Sequence, residues 1–377
     1  MWVSTLASSC SQLLELCLRG EPWSAGLLDA AIAEDDGRAL LSVVVERLAD
    51  LFEPRLAEVY ERLFRQVIER VTPDLAPRLQ QLRPHTFPAS AERVHVLSRI
   101  TLGADVAVTS VLLDAAKRRY PSAEIVFAGP RKNYELFEAD PRVRHRDVAY
   151  ARGGALAQRL RASAALWFDG GIVIDPDSRL TQLGLISVCD PEPYFFFNSR
   201  AYGVDNERRL SDLAAQWADD PKARPYIAPS PPAGAPADIT VSLGVGENPA
   251  KRLTDDFERK LLQMLAATGA AILIDKGGSP EERDRVERAM LPGMAAHDGA
   301  FAPFAAQIAR SKLFVGYDSA AGHVASACGV PLISIAKGFV SPRMAARWRP
   351  VGTVIDGDAP DVLGRVRSAL STYTFRR

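Results

Sequence analysis

The stretch that decides the fold is residues 313–338, LFVGYDSAAGHVASACGVPLISIAKG. It begins with a short apolar run, continues through Asp318 and Ser319 as candidate helix N-caps, and then runs through small residues to Cys328. A second apolar run follows at 332–335. Strand, tight turn, helix and strand in this order predict a βαβ unit, whose strands are parallel neighbours with a right-handed crossover.

The turn before the predicted helix is a candidate anion site. Open α/β sheets bind ligands at the carboxyl ends of their strands, and the free N–H groups at a helix N-terminus attract an anion. Ser319 and Ala320 leave room for a bulky anion, and His323 follows about one helical turn later, within reach of the same place. An ordinary βαβ unit with a solvated Asp318 and a packed His323 explains these residues about as well.

The composition is that of an ordinary globular chain. It has 377 residues, of which 47% are hydrophobic and 24% are charged, enough for two domains and a small third one. A net charge of zero argues against a broad nucleic-acid-binding surface. The four cysteines lack zinc or CxxC spacing, which favours reduced thiols and a cytoplasmic location. No apolar run approaches the ~20 residues of a membrane helix, and peripheral contact at the cytoplasmic face of the inner membrane stays open.

Residues 1–88 differ from the rest of the chain. Apolar residues recur there at helical spacing, charged residues lie on the opposite face, and proline-containing pairs at 83–84 and 87–88 close the segment. We predict a helical N-terminal extension. It is either a layer packed on the domain that follows or a module for acceptor recognition or dimerisation, so a homo-oligomer formed through these helices stays open.

Strand and helix patterns alternate in the remainder of the chain, which predicts two α/β domains. The first comprises residues 89–220, and the second comprises residues 239–377. Between them, the Pro-rich residues 221–238 cannot continue a helix or a central strand and form an extended linker. The fold class predicted is α/β, with two Rossmann-like, doubly wound parallel sheets. The strands predicted for the first domain are 94–97, 124–128, 164–168 and 172–174.

Four segments resemble motifs of one enzyme family, in the family's order. Residues 318–331 resemble D-[ST]-G-x-x-H-x-A-x-A-x-G-x-P, a signature of glycosyltransferase family 9, the ADP-heptose lipopolysaccharide heptosyltransferases. The other three are RITLGADVAVTS at 99–110, similar to R-x-x-x-L-G-D-x-x-x-T, GVGENPAKR at 244–252, similar to the loop with the family's phosphate-binding lysine, and GGSPE at 277–281, similar to G-G-x-x-E. The resemblance implies the GT-B architecture, in which two Rossmann-like domains face a cleft and the C-terminal one binds the nucleotide.

The resemblance also implies a donor site for a nucleoside-diphosphate sugar, with no metal ion and no other cofactor. Lys251 then supplies a positive charge for the diphosphate, and the Ser319 hydroxyl joins the backbone N–H groups around it in an anion hole. Glu281 is expected to bind the ribose, although a solvated carboxylate at a helix start explains it as well. The donor-binding residues expected on this basis are Gly244, Gly246, Asn248, Lys251, Glu281, Asp318, Ser319, Ala320 and His323.

Asp105 matches the family's catalytic base, which removes the proton of the attacking acceptor hydroxyl. An Asp at this point is otherwise typical of a helix cap. The chain has an additional residue, Ala104, between the family's glycine and its aspartate, so the geometry of this turn is open. Asp175, Arg179 and Arg200 are candidates for acceptor contacts, and an Asp-Pro turn with solvated arginines explains them equally well.

The chain is therefore predicted to be an inverting, metal-independent glycosyltransferase with Asp105 as general base. Its expected donor is ADP-heptose or another nucleoside-diphosphate sugar, and its expected acceptor is a saccharide, a lipid-linked molecule or a protein. Two alternatives stay open. One is a nonhydrolysing sugar-nucleotide epimerase, which shares the architecture, and the other is a catalytically silent GT-B protein that binds partners through its helical N-terminus.

Overall fold

The helical extension leads the chain in the computed structural model, which describes residues 8–84, 86–203, 207–246 and 248–375. Its helices are α1 (Ser9–Arg19), α2 (Ala25–Ala33), α3 (Glu46–Asp50) and α4 (Pro54–Val71). Serine side chains at Ser8 and Ser24 cap the first two helices by accepting hydrogen bonds from backbone N–H groups. A π-helical segment, Leu40–Val45, leads directly into α3.

One core of buried apolar side chains joins the extension to the sheet domain that follows. Apolar side chains of α1, α2 and α4 pack there with Leu156, Leu160 and Ile186. The hydroxyl of Tyr60 in α4 also donates a buried hydrogen bond to the carbonyl oxygen of Gln182, at 2.9 Å. The helices therefore form a layer packed on the next domain, which is one of the two predicted alternatives.

The first sheet contains the strands β1 (Arg93–Leu97), β2 (Glu124–Gly129), β3 (Val143–Asp147), β4 (Ile172–Asp175) and β5 (Tyr194–Phe196). All neighbours are parallel, in the order β3-β2-β1-β4-β5. The helices of this part are α5 (Leu102–Ala104), α6 (Ser110–Arg119), α7 (Arg131–Tyr134), α8 (Leu156–Ala164) and α9 (Leu210–Trp217). The strand predicted at 164–168 is wrong, because its apolar residues are the end of α8 and the loop after it, where Trp167 is exposed and Phe168 is buried.

The second sheet contains the strands β6 (Ile239–Ser242), β7 (Ile272–Asp275), β8 (Ala295–His297), β9 (Leu313–Tyr317), β10 (Leu332–Ala336) and β11 (Thr353–Asp356). Its helices are α10 (Asp255–Ala266), α11 (Pro280–Ala289), α12 (Phe301–Ile308), α13 (Ala320–Ala327), α14 (Pro342–Trp348) and α15 (Val362–Leu370). All neighbours are again parallel, in the order β11-β10-β9-β6-β7-β8. The predicted βαβ unit is confirmed, since β9 and β10 are adjacent and α13 connects them.

Two parallel sheets flanked by helices confirm the predicted fold class. Every residue of β4, β6 and β9 is buried, as expected for strands that are covered on both faces. The domain limits at residues 88, 220 and 238 remain predictions. Residues 1–7, 85, 204–206, 247, 376 and 377 of those units lie outside the described residues.

The two sheet domains contact each other at the starts of two helices. A Cβ atom added at Gly103 would lie 3.2 Å from Cδ2 of His323 and 3.3 Å from Cα of Ala320, so α5 abuts α13. In addition, the Arg343 guanidinium of α14 donates a hydrogen bond to the carbonyl oxygen of Phe52, at 3.0 Å. The C-terminal half therefore touches both the first sheet domain and the extension.

The state of the cysteines and the length and polarity of the helices are the features on which the predicted location of the protein rests. All four cysteines are free thiols, and burial raises the pKa of Cys17 to about 11 and that of Cys328 to about 11. Within the described ranges, no helix combines the length and the apolar character that crossing a membrane requires.

Candidate functional site

Lys251 and Asp318, two of the predicted donor-binding residues, form an ion pair at the start of α13. The Lys251 ammonium lies 2.6 Å from Asp318 Oδ2 and 3.3 Å from the Asp318 carbonyl oxygen. Asp318 directly follows β9, and Lys251 closes a short 3₁₀ turn, Pro249–Lys251, which the Asn248 side chain caps by accepting a hydrogen bond from the Ala250 N–H. The glycine at 246 has φ +61°, the left-handed region that glycine adopts easily, and so lets the chain turn toward Lys251.

The Ser319 hydroxyl is the unusual group at this turn. It precedes α13 in extended conformation, as an N-cap residue does, yet it caps none of the helix N–H groups. Its oxygen is buried and has no hydrogen-bond partner among the residues that the structure describes. A buried hydroxyl without a partner costs about 1–3 kcal/mol, so this atom points to a ligand that completes the site.

A buried carboxylate, Glu258 of α10, holds the elements around Lys251 and Asp318 together. Its Oε1 accepts hydrogen bonds from Arg252 (2.9 Å), Arg285 (2.6 Å) and the Tyr317 hydroxyl (3.1 Å). Arg252 follows Lys251 in the chain and Tyr317 precedes Asp318. The cluster therefore fixes the two segments that carry the ion pair. The sequence signal that was available is a charged residue on the apolar face of an amphipathic helix.

Glu282, rather than Glu281, faces the glycine loops beside this site. Its Oε2 accepts a hydrogen bond from the Gly278 N–H at 3.1 Å, and a Cβ atom at Gly244 would come within 2.8 Å of its Oε1. That Oε1 is buried without a hydrogen-bond partner among the described residues. Glu281 is exposed, and hydrogen bonds from its own N–H and from Ser279 lower its pKa. The expectation that Glu281 faces this site is therefore wrong, and Glu282 takes that place. Successive helix residues point about 100° apart, so only one of the two can face the glycine loops.

His323 lies in the contact between the two domains. Burial lowers its pKa, and the nearby Lys251 acts in the same direction against the opposing effect of Asp318. Its ring meets that of Trp348 edge to face at 5.9 Å between centroids. His323 and Ala320 thus adjoin the predicted anion turn and also face Gly103 of the first domain.

Asp105, the predicted general base, does not face the cleft, which corrects the expectation that it meets an acceptor hydroxyl there. It has no solvent exposure. Its carboxylate oxygens accept hydrogen bonds from the Ser98 hydroxyl (2.6 Å), the Arg99 N–H (2.7 Å), the Thr109 hydroxyl (2.7 Å) and the Asn133 amide (2.6 Å). Burial raises the pKa of Asp105, and these hydrogen bonds oppose the rise. The side chain therefore links the end of β1, α7 and the helical segment that begins at Asp105 through buried hydrogen bonds.

The additional residue at this turn, Ala104, explains why the Asp105 side chain points away from the cleft. The segment Asp105–Thr109 is π-helical and follows directly on the single turn of α5. A π-helical turn accommodates one residue more than an α-helical turn, so everything after Ala104 is rotated about the helix axis. Ala104 lines a cavity in the cleft, and Asp105 points into the protein.

Of the three predicted acceptor-side residues, Asp175 is buried, whereas Arg179 and Arg200 line a cavity. Asp175 is fully buried, and its oxygens accept hydrogen bonds from the Ser178 N–H and the Tyr194 hydroxyl, each at 2.6 Å. Burial raises the pKa of Asp175 to about 6. Asp175 therefore holds its own turn, which corrects the expectation of acceptor contact.

The two arginines lie nearer to the cleft. Arg200 is buried beside Asp177, with Nε 3.0 Å from a carboxylate oxygen, and its guanidinium stacks over the Tyr60 ring at 4.8 Å. Arg179 is partly exposed, and its Nη2 lies 4.0 Å from Glu46. Both arginines line a cavity of about 220 Å³ between the first domain and the extension.

Two cavities flank the contact between α5 and α13, and Trp348 lines both of them. The smaller, which we call the extension cavity, is also lined by Asp50, Arg99, Ala104, Arg179 and Arg200. The larger, of about 830 Å³, is lined by residues of α9, α13 and α14, including His323 and Arg347. Among the described residues, no group of three or more His, Cys, Asp or Glu side chains is placed to hold a metal ion.

Comparison with solved structures identifies the fold. The E. coli heptosyltransferase WaaC with ADP matches at a TM-score of 0.55 and 18% identity, over 74% of this chain and 99% of that one. The E. coli ADP-heptose LPS heptosyltransferase II matches at 0.53 and 17% identity, over 74% and 98%. A family 9 glycosyltransferase from Veillonella parvula DSM 2008 matches at 0.52 and 15% identity, over 76% and 93%. Neither a scan with protein-family models nor a search of curated proteins finds a match.

The matched structures are covered almost completely, whereas about a quarter of this chain lies outside the match. That quarter is comparable in size to the helical extension. At these identities the similarity establishes the fold alone, and it confirms at that level the resemblance seen in the four sequence motifs. The chain therefore has the GT-B fold of the family 9 heptosyltransferases, and its N-terminal helices pack on the first sheet domain.

Proposed function

We propose that this chain is a glycosyltransferase that moves a sugar from a nucleoside-diphosphate sugar to an acceptor hydroxyl, with inversion and without a metal ion. The observation that carries the proposal is the turn between β9 and α13, where Lys251 and the unpartnered Ser319 hydroxyl meet at a helix N-terminus. The GT-B fold supports the same reaction. One neighbour is described with ADP and another as using ADP-heptose, so ADP-heptose is the first donor to test.

The proposed chemistry follows from where charge develops. Cleavage of the bond between sugar and diphosphate leaves negative charge on the diphosphate, which must be stabilised by groups already in place. A diphosphate in this turn offers Lys251 an anionic partner besides Asp318, and it accepts hydrogen bonds from Ser319 and from the first N–H groups of α13. The lowered pKa of His323 keeps its ring neutral near pH 7, so it supplies a hydrogen bond and no charge.

The acceptor in this proposal is a hydroxyl of a saccharide, a lipid-linked molecule or a protein that enters through the extension cavity. Inversion requires the hydroxyl to attack the face of the sugar opposite the leaving diphosphate, in one displacement assisted by one base. We place the reaction in the cytoplasm. The four free thiols agree with a reducing compartment.

We expect Lys251→Ala to weaken ADP binding at least tenfold in isothermal titration calorimetry. A hydrogen bond to a charged group contributes about 1.5–3 kcal/mol, and 1.4 kcal/mol corresponds to a factor of ten in Kd. The matched control is Lys260→Ala on α10, because that lysine is exposed and pairs with the exposed Asp256. This control should bind ADP like the wild type.

The same titration with ADP, GDP, UDP, dTDP and CDP, each with and without EDTA, identifies the base and tests the independence from metal. Binding of none of the five would contradict the proposal. A second candidate function, nucleotide binding without turnover, is favoured by the burial of Asp105. It predicts tight binding of one nucleotide with no release of that nucleotide from any of its sugar conjugates.

Ser319→Ala is expected to change stability and binding in opposite directions. Without ligand, the variant should be about 1 kcal/mol more stable, since it removes a buried hydroxyl that has no partner in the described structure. With ADP, the stabilisation by ligand should be smaller than in the wild type. Urea unfolding with and without ADP measures both effects.

The control for Ser319→Ala is Ser311→Ala, whose buried hydroxyl already hydrogen-bonds to the Ile308 carbonyl oxygen at 2.9 Å. That variant should lose stability and keep its response to ADP. An unchanged response to ADP in Ser319→Ala would remove this hydroxyl from the donor site.

A further inference from the structure

Among the residues that the structure describes, three carboxylates line the extension cavity, and they differ in how many partners each already has. Asp177 is buried and accepts hydrogen bonds from the Ser199 hydroxyl at 2.8 Å and from Arg200 at 3.0 Å. Glu46 is exposed, 4.0 Å from the Arg179 guanidinium. Asp50 is half-buried, and no group in the described part of the chain donates a hydrogen bond to its carboxylate. Asp50 is thus the carboxylate that is both sheltered and free to accept a proton.

Asp50 is the last residue of α3 and comes from the extension, yet it lies among charged residues of both sheet domains. The groups that act on its ionisation are Arg179 and Arg99 of the first domain, Lys251 of the second and Glu46 of its own helix. Lys251 is the residue proposed to hold the donor diphosphate. Asp50 therefore lines the cavity through which an acceptor enters, and it is close enough to the proposed donor site for the charge of Lys251 to act on its ionisation.

The balance of these neighbours suits proton transfer near neutral pH. Burial raises the pKa of Asp50 to about 6, and Glu46 adds to the rise, whereas Arg179, Lys251 and Arg99 lower it. A general base is most effective when its pKa lies close to the working pH. At pH 7 the carboxylate is ionised and only about one unit from its pKa, so it can both accept and return a proton.

The family motif would place the carboxylate of Asp105 in this part of the cleft, but the fold of α5 and the turn after it does not. Asp105 is turned into the protein, and Ala104 lines the cavity in its place. Asp50 and its neighbours Glu46, Ala49 and Phe52 in the extension line the same cavity. The helical extension thus contributes a carboxylate, that of Asp50, to this cavity, whereas the carboxylate of Asp105 in the first domain is buried.

We propose, on the basis of the glycosyltransferase function above, that Asp50 is the general base of the transfer. The proton of the acceptor hydroxyl passes to the Asp50 carboxylate as the hydroxyl oxygen forms a bond to the anomeric carbon. The bond between that carbon and the diphosphate oxygen breaks, and its electron pair leaves with the diphosphate. The extension is therefore part of the active site, and its docking on the first domain completes the catalytic group.

The test uses water in place of the unidentified acceptor. ADP release from ADP-heptose, or from the sugar conjugate of whichever nucleotide binds, is measured for the full-length protein between pH 4.5 and 8. We expect Asp50→Asn to lower the release rate at least 100-fold and to leave the Kd for ADP within threefold of the wild type. The wild-type rate should rise with pH through an apparent pKa of about 6, and the Asp50→Asn rate should not.

Three further variants make the result specific. Glu53→Gln, a control three residues beyond Asp50 that pairs with Arg55 at 2.9 Å, should keep the wild-type rate and pH profile. Asp50→Glu should restore part of the rate with a displaced pH midpoint. A loss of rate in Glu46→Gln, with Asp50→Asn active, would assign the base to Glu46 and overturn the proposal.

The outcomes also separate this proposal from the function on which it rests. If no nucleoside diphosphate binds, the glycosyltransferase function fails. If the wild type binds ADP and releases it from the donor, but Asp50→Asn does so equally fast with the same pH profile, only the role of Asp50 fails. Tight ADP binding with no release at any pH overturns the proposal, because a poised base beside a bound donor would activate water.

Discussion

Asp105→Ala is expected to lower the free energy of unfolding by about 3–4 kcal/mol. The substitution removes a carboxylate with no solvent exposure and leaves four donors inside the protein without their partner. These are the Ser98 and Thr109 hydroxyls, the Arg99 N–H and the Asn133 amide. Part of the loss is offset, because burial already disfavours the charged form and raises the pKa of Asp105. Urea unfolding followed by circular dichroism measures the change.

The control for Asp105→Ala is Asp114→Ala on α6, whose carboxylate is half-buried and accepts a hydrogen bond from the Arg224 N–H at 3.1 Å. It should cost less than about 1 kcal/mol. The pH profile of donor hydrolysis should be unchanged for whatever fraction of Asp105→Ala is folded. Full stability with complete loss of turnover would contradict the structural role and return Asp105 to the role of base that the motif suggested.

Glu258→Ala is expected to have the largest effect on the C-terminal domain, a loss of about 3–5 kcal/mol in the free energy of unfolding. Arg285 and Arg252 would lose a fully buried partner at 2.6 and 2.9 Å. Because Arg252 follows Lys251 and Tyr317 precedes Asp318, the affinity for ADP should fall as well. Thermal unfolding and calorimetry on the same preparation measure the two effects.

The matched control lies on the same helix. Asp256→Ala removes an exposed carboxylate that pairs with Lys260 at 2.7 Å, and such surface pairs contribute about 0–1 kcal/mol. Glu258→Gln should be intermediate, since it retains an acceptor but not the charge. A Glu258→Ala protein as stable as Asp256→Ala would show that the buried cluster does not hold the domain together.

Much of the fold could be predicted because buried parallel strands have a recognisable sequence pattern. Strands that are covered on both faces are continuous apolar runs, and residues 313–317 and 332–335 are such runs, separated by a helix of small residues. The edge strand β3 lacks this signal, since its sequence VRHRD is polar. The segment at 164–168 carries the signal without being a strand, because a loop can also bury apolar side chains one by one.

Side-chain direction was the part that a linear pattern could not supply. One additional residue at Ala104 turns Asp105 away from the cleft, and one position decides whether Glu281 or Glu282 faces the glycine loops. A sequence motif does not show in which direction either of these side chains points. Asp50 was missed for a different reason, since its importance arises only when a separate helical layer docks against the cleft.

The central claim is that a diphosphate occupies the turn between β9 and α13, and a crystal structure of the protein with ADP tests it most directly. We expect a phosphate oxygen within hydrogen-bond distance, about 2.7–3.2 Å, of both the Ser319 hydroxyl and the Lys251 ammonium. Asp50, on the acceptor side of the site, should not contact that phosphate. An ordered ADP molecule with its phosphates elsewhere, and with the Ser319 hydroxyl still unpartnered, would contradict the account.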